Sequence, residues 1–217
     1  MFTSLPMPDS LTVGTSNVVF SQSVKTHGVT LDTHLNFENR VVNPVRTANS
    51  ELRRISSVRH YLSVESTQKL VQAFDMSRLD YCNSLLYGCH QYLINRPCKV
   101  QNNAACLILK VPKTGRITRH LQTVHRLPVG ARIWYKIHCF NVIDSSCPQY
   151  LAKLLEIYAP SCQLRSSADT CILSIPLVHT KTYSQRAFSH SAPTLWNNFS
   201  KAIRNSESDP FKSALKT

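Results

Sequence analysis

The feature that most restricts the fold of this chain is a run of apolar residues spaced three and four positions apart. They are Phe37, Val41, Val45, Ala48, Leu52 and Ile55. Because an α-helix has about 3.6 residues per turn, side chains at this spacing form one stripe along its surface. The pattern predicts an amphipathic helix of about five turns that must bury this stripe against a partner. Pro44 lies inside the run and predicts either a kink or a separate first turn.

Two more helices are predicted before residue 112. Ser63 suits the N-cap of the first of them, whose inner face is expected to carry Thr67, Leu70, Val71 and Phe74. The next helix is predicted to begin near Ile94 or Pro97, because proline suits an opening turn. Its inner face is expected to carry Ala104, Ala105 and Ile108.

The rest of the chain predicts shorter elements. A helix is expected around Ile117 to His125, another in RIWYKIHCFNVI, a third in PQYLAKLLEIY, and two more in APTLWNNFSKAI and DPFKSALK. The segment RIWYKIHCFNVI is expected to place Ile133, Ile137, Phe140 and the following Asp144 on one line of the helix, with Trp134 and Tyr135 broadening the apolar face. Strands are expected around the turn at Gly14 to Asn17, from Val24 to Leu31, and in TCILSIPLV. The fold class is therefore predicted to be mainly α with small β elements.

The stretch SRLDYCNSLLYG, from Ser77 to Gly88, brings an acid, a thiol and a guanidinium together. These groups could serve catalysis or could tie a helix to its neighbour. No second carboxylate stands beside Asp80, so we interpret the stretch as a packed corner. Arg78 and Asp80 are expected to form an ion pair or a cap, and the residues expected in the core are Leu79, Tyr81, Leu85, Leu86 and Tyr87.

Positive charge is in excess and unevenly distributed. The chain has 25 Lys and Arg against 12 Asp and Glu, a formal net charge of +13, and no acid occurs from Tyr81 to Ile143. Such a stretch favours an anionic partner, of which the phosphate backbone is the most common, although a solvated surface is the alternative. The predicted nucleic-acid-binding residues are Arg46, Arg53, Arg54, Arg59, Arg96, Lys99, Lys110, Lys113, Arg116 and Arg119.

Catalytic and metal-binding patterns are weak. The Asp and Glu residues are scattered, without D-x-D or D-x-E, so a two-metal site is not expected. The eight cysteines include no C-x-x-C, and Cys82 or Cys106 as a nucleophile would need a base that the sequence does not supply. We expect reduced thiols and an intracellular protein, in the nucleus or cytoplasm, with no secretory signal and no membrane span.

Several segments occur in a fixed order. SQSVKTHGVTLDTHLNFENRV has the form V-K-x-L-G-V-x-x-D-x-x-L-x-F except that His27 replaces the first Leu. It is followed by RHYLSVESTQKLVQAFDMSRLDYCNSLLYG, INRPCKVQNNAACLI, LPVGARIWYKI, PQYLAKLL, LRSS, KTYSQRAFSHSAPTLWN and FKSALKT. Over nearly its whole length this series resembles the region after the catalytic palm in reverse transcriptases of LINE-type, jockey-like non-LTR retrotransposons. Further departures are Pro97, where the family has Leu, and Cys106, where it has a basic residue.

The resemblance implies a division of the chain into four parts. Residues 1–35 would be a β-hairpin like the primer-grip end of a palm, with Lys25 a further nucleic-acid contact and Val24 to Asp32 the primer grip. Residues 36–112 would be a thumb-like helical bundle that holds a template–primer duplex. Residues 113–160 would be a basic connection with helices, and residues 161–217 a mixed strand and helix tail.

The resemblance also implies what this chain lacks. The palm, with its Tyr-x-Asp-Asp motif, is not in the sequence, so we expect a truncated fragment of an RNA-directed DNA polymerase that is not an enzyme on its own. We expect no cofactor, because divalent metal would require the missing palm. The expected partner is nucleic acid, bound weakly and without sequence preference, or the missing palm domain, and no small-molecule substrate. The alternative is a host-adopted helical interaction module that binds an acidic protein.

Overall fold

A computed structural model describes residues 10–139, 148–159, 172–180 and 183–204. The described chain is mainly α with small β elements, as predicted. Its α-helices are α1 Glu38–Val58, α2 Val64–Val71, α3 Ser77–Asp80, α4 Gln91–Leu109, α5 Ile117–Thr123, α6 Val129–Cys139, α7 Gln149–Ala152, α8 Phe188–Asn197 and α9 Lys201–Arg204. Phe140, Asp144 and the segment DPFKSALK lie outside the described residues.

Four short strands form two separate antiparallel hairpins. Strands β1 Ser10–Val13 and β2 Ser16–Val19 pair with each other, and β3 Ser23–Thr26 pairs with β4 Val29–Asp32. The single strand predicted from Val24 to Leu31 is therefore wrong. The chain reverses there because His27 and Gly28 both take positive φ values, 49° and 78°, which is the backbone of a tight two-residue hairpin turn.

Helices α1 and α4 form the centre of the fold. The predicted stripe of α1 is confirmed within the helix, with Val45 partly buried and Val41, Ala48, Leu52 and Ile55 buried. Phe37 is also buried, but it is the N-cap residue ahead of α1 and has a left-handed backbone with φ of 58°. Helix α1 is unbroken through Pro44, so there is no separate first turn. Arg59, just after α1, donates hydrogen bonds to carbonyls in the last turn of α4, so the two helices run in parallel.

The two central helices share two hydrophobic clusters. Toward their C-terminal ends, Leu52 of α1 and Ala104, Ala105 and Ile108 of α4 pack with residues of α2 and α5, which confirms the predicted inner face of α4. Toward their N-terminal ends, Val41 and Leu93 pack with residues of α6 and α8. The second cluster thus draws together parts of the chain that are about a hundred and fifty residues apart.

Helix α4 begins before the predicted start at Ile94 or Pro97. Pro97 lies inside the helix and is buried, although an interior proline costs about 3 kcal/mol relative to alanine. The first turn of α4 buries Leu93 and Ile94 in the second cluster. We attribute the early start to this apolar burial, which offsets the cost of the proline.

A π-helical turn, Gln72–Met76, changes which residues face inward after α2. Ser63 caps α2 as predicted, accepting a hydrogen bond from the Ser66 amide at 3.0 Å. Phe74, however, is 44 % exposed, which corrects its predicted place in the core, whereas Asp75 and Met76 are buried. The wider turn carries one more residue than an α-helical turn and so shifts the following side chains around the helix axis.

Other predictions of core residues hold in part. Leu79 and Leu86 are buried and Tyr87 is half-buried, but Tyr81 and Leu85 are exposed. Ile133 and Ile137 of α6 are buried, whereas Trp134 is 56 % exposed, because it lies off the line that these two isoleucines form. In the predicted strand TCILSIPLV, the described residues make one isolated bridge, from Leu173 to Ile157. No described helix has the length and apolar character needed to cross a membrane.

Candidate nucleic-acid interface

A groove of about 750 Å³ lies between the C-terminal halves of α1 and α4. Helix α1 contributes Asn49, Arg53 and Ser56, and the other wall carries Asn103, Lys110 and Lys113. Spacings of three and four residues place the first set on one face of α1. On the other wall, Asn103 lies in α4, Lys110 is the left-handed C-cap residue of that helix with φ of 56°, and Lys113 lies in the turn that follows, so this polar stripe runs from α4 into the next loop. We call this feature the α1–α4 groove. Among the described residues, its lining includes no Asp or Glu.

Apolar residues form the base of the α1–α4 groove. Leu52, Cys106 and Leu107 lie there beneath the polar stripes. Cys106 is buried, and its thiol contacts the Pro112 carbonyl at 3.9 Å. The groove therefore combines exposed cations and side-chain amide and hydroxyl groups with a packed base. Such cations and polar groups are the ones that donate hydrogen bonds to backbone phosphates.

Arg59 corrects one prediction for this site. Its side chain is buried, and its guanidinium donates to the carbonyls of Leu62, Leu107 and Ile108 at 2.6, 2.9 and 2.7 Å. These carbonyls include two at the C-terminal end of α4, where backbone acceptors lack helical partners. Arg59 thus joins the ends of α1 and α4 and is not available as an exposed phosphate contact.

The structure places the other predicted cations in four groups. Arg53, Lys110 and Lys113 line the α1–α4 groove, and Arg46 and Lys99 are exposed and continue the two stripes by helical spacing. Arg116 and Arg119 are exposed around a second hollow of about 470 Å³. Two others have carboxylate partners: Arg54 lies 3.4 Å from Glu51, and Arg96 lies 3.6 Å from Glu38. Lys25 lies in a different pocket, between β3 and the helices.

Four cations that were not predicted surround Asp80. Arg132 donates to the Asp80 carboxylate, Lys136 donates to the Asp80 carbonyl, and Arg40 donates to the neighbouring carbonyl of Tyr81. Burial lowers the pKa of Arg40, Lys136 and the fourth cation, Arg126, with Arg132 contributing for the last two. The predicted pair of Arg78 with Asp80 is therefore wrong, because the carboxylate turns inward to Arg132 of α6. Arg132 is 52 positions away from Asp80 in the sequence, so only the tertiary structure identifies it as the partner of this carboxylate.

Asp75 is a buried acid without a hydrogen-bond partner for either carboxylate oxygen among the described residues. Burial, and after it the charge of Glu51, raises its pKa to about 6, while Arg78 acts in the opposite direction. Because the folded protein resists ionising this group, the stability contributed by its neutral form is lost as pH rises from about 3.8 to about 6.

The substitution Asp75→Asn should therefore stabilise the protein above pH 6 by about 1–3 kcal/mol, because a neutral amide avoids the cost of holding an ionised carboxylate in a buried position. Urea unfolding followed by circular dichroism at pH 4.5 and pH 7.5 measures the effect, which should be small at the lower pH. Burial lowers the pKa of His138 to about 4, so the stability that this neutral histidine contributes falls as pH drops below 6.5. Because the variant lacks the opposite pH dependence of Asp75, its free energy of unfolding should show this fall directly. Glu65→Gln, at an exposed position, is the control. Equal effects of D75N at both pH values would contradict the expectation.

Comparison with models of known families, with curated proteins and with solved structures yields no match. Within the described residues, no group of three or more His, Cys, Asp or Glu side chains is close enough to hold a metal ion. Burial raises the pKa of the Cys89 and Cys98 thiols. The function of this chain must therefore be inferred from the α1–α4 groove, its charges and the sequence resemblance.

Proposed function

We propose that this chain binds the sugar–phosphate backbone of a nucleic-acid duplex in the α1–α4 groove, without sequence preference. The observation that carries the proposal is the combination of Arg53, Lys110 and Lys113 with Asn49 and Asn103 along an acid-free lining of the described structure. Cations contribute affinity and neutral donors fix the position of a phosphate backbone.

The distribution of acids supports the same proposal. Asp80 and Asp75 are drawn into the protein, Glu51 pairs with Arg54, and Glu65 pairs with Lys69 at 2.7 Å. The cations of the groove have no carboxylate within salt-bridge distance in the described part of the chain. Their positive potential is therefore directed at solvent, where it attracts a polyanion.

The sequence resemblance gives the proposal its specific form. In LINE-type reverse transcriptases the corresponding region is a thumb that holds the template–primer duplex, so we propose an RNA–DNA or DNA duplex as the ligand. The proposal assigns no catalytic step to this chain, since in those enzymes the metal-binding acids belong to the palm.

The salt dependence of binding tests the proposal. Fluorescence anisotropy with a labelled RNA–DNA duplex should give an affinity that falls with salt, with a log–log slope of about −0.9 for each phosphate neutralised. The variant Arg53→Gln/Lys110→Gln/Lys113→Gln should weaken binding and make the slope shallower by about 0.9 for each phosphate that is no longer neutralised. Lys69→Gln, which removes an exposed lysine of α2, is the control and should change the slope little.

Two outcomes would contradict the proposal. One is an affinity that does not change with salt. The other is an acidic polypeptide that binds more tightly than the duplex and displaces it from the groove, which would favour the acidic protein partner considered from the sequence. A triple variant with the slope of the wild-type protein would place duplex binding outside the groove.

A further inference from the structure

A second pocket, of about 550 Å³, lies between the β3–β4 hairpin, α1 and α3. Three cations line it, one from each of these elements: Lys25, Arg40 and Arg78. We call it the hairpin pocket. Asp and Glu are absent from its lining within the described structure. The convergence of three separate elements on one acid-free pocket distinguishes it from a chance row of surface lysines.

Tyr81 holds the walls of the hairpin pocket together. Its hydroxyl donates to the His27 carbonyl at 2.7 Å, which fixes the turn of the hairpin against α3. Its own carbonyl accepts a hydrogen bond from the Arg40 guanidinium of α1. Hairpin, α1 and α3 are thus joined through one residue, and the three cations are held near one another before any ligand arrives.

Arg40 is the buried member of the pocket. It is 7 % exposed, and its Nε has no hydrogen-bond partner among the described residues. Burying a charged donor without an acceptor is costly, so a site of this kind gains from an anionic ligand. The acids of the surrounding elements are directed elsewhere. Asp80 accepts from Arg132, Asp32 accepts from the Phe37 amide, and Asp75 is buried in the π-helical turn and interacts with Arg78.

The neutral groups of the hairpin pocket also suit an oxyanion. Thr30 and Asn43 contribute a hydroxyl and an amide donor to the same lining, whereas the Thr47 and Ser77 hydroxyls already donate to the Asn43 and Ala73 carbonyls. A phosphodiester carries one negative charge, whereas a phosphomonoester carries about 1.5 to 2 negative charges near neutral pH and three acceptor oxygens. Three cations without a lining acid match the monoester better.

We propose that the hairpin pocket binds a phosphomonoester, such as the phosphorylated end of a nucleic-acid strand. The phosphate site itself rests on the pocket alone, and the strand as its source rests on the proposed function. The cations make charge-assisted hydrogen bonds to the phosphate oxygens, with Arg40 as the buried contact and Lys25 and Arg78 as the exposed ones.

Titration with thymidine monophosphate, followed by amide NMR shifts, tests the phosphate site. We expect saturable shifts around the hairpin pocket, none with thymidine, and binding weakened about tenfold by either Lys25→Gln or Arg78→Gln. These two side chains are exposed, so the variants should fold, which circular dichroism verifies. Lys113→Gln, in the α1–α4 groove, is the matched control. Inorganic phosphate that shifts the same amides supports the phosphate as the recognised group.

A second measurement addresses the source of the phosphate. A terminally phosphorylated duplex should bind more tightly than its unphosphorylated form, and the difference should vanish in K25Q/R78Q. The inference would be overturned if thymidine bound as tightly as its monophosphate. It would also be overturned if K113Q weakened binding of the monophosphate as much as R78Q does. Saturable phosphate binding, combined with a duplex affinity that does not change with salt, would support the phosphate site and contradict the proposed duplex function.

Discussion

Replacing Asp80 with Asn should lower the free energy of unfolding by about 3 kcal/mol, because it leaves a partly buried cation cluster without its carboxylate. The Arg132 and Asp80 side chains are 13 % and 26 % exposed, and the Arg132 guanidinium also donates to the Gln101 side chain at 3.1 Å. Asn83 donates to the other carboxylate oxygen at 3.1 Å. Asp80 thereby links α3, the turn after it, α4 and α6.

An exposed ion pair provides the control for this substitution. Glu65 and Lys69 are 2.7 Å apart, but their side chains are 78 % and 75 % exposed, so Glu65→Gln should cost less than about 0.5 kcal/mol. Urea unfolding followed by circular dichroism measures both. A double-mutant cycle of D80N with Arg132→Gln isolates the pair, and a coupling no larger than that of the exposed pair would show that Asp80 does not hold α6 in place.

Replacing Arg186 with Ala should cost about 2–4 kcal/mol, because one guanidinium joins the chain before α8 to two distant segments. It donates to the carbonyls of Leu35, Tyr87 and Leu85 at 3.0, 3.2 and 3.3 Å, and lies 4.9 Å from the centre of the Phe37 ring. Loss of the side chain removes these bonds and uncovers the second hydrophobic cluster. Arg116→Ala, at an exposed arginine, is the control.

Gly88 gives an independent test of the same contact. A Cβ added there would lie 2.7 Å from Cγ of Arg186, and the residue has φ of +68°. Gly88→Ala should therefore destabilise the protein through both the clash and the backbone strain. In the R186A background only the strain should remain, about 1 kcal/mol. If G88A costs the same in both backgrounds, the packing of Arg186 over Gly88 is not what stabilises this region.

The local patterns of the sequence predicted what depends on neighbouring residues. The stripe of α1, the Ser63 cap and the inner face of α4 follow from helical period and from side-chain chemistry within a few positions. Phe74 and Trp134 show the limit of this reasoning. The π-helical turn breaks the period at Phe74, and apolar character alone did not show that Trp134 faces away from the line of Ile133 and Ile137.

The candidate sites divide in the same way. Charge and spacing identified Arg53, Lys110 and Lys113, because Arg53 lies off the apolar stripe of α1 and the two lysines lie in the stretch from Tyr81 to Ile143 that contains no acid. The same reasoning missed Arg40 and Arg78 in the hairpin pocket and placed Arg59 wrongly among the exposed cations. An arginine has the same side chain whether it contacts solvent or three carbonyls, so its role depends on which backbone groups surround it.

The sequence by itself determined the helical class, the strongest amphipathic helices and the excess of positive charge, since these depend on composition and short-range periodicity. Only the tertiary structure decided which cations remain available. It turns Asp80 toward Arg132, 52 positions away, and Arg186 toward Leu35, 151 positions away. Such pairs form because buried charges and carbonyls must find partners when distant segments pack together, and no local pattern specifies which partner that will be.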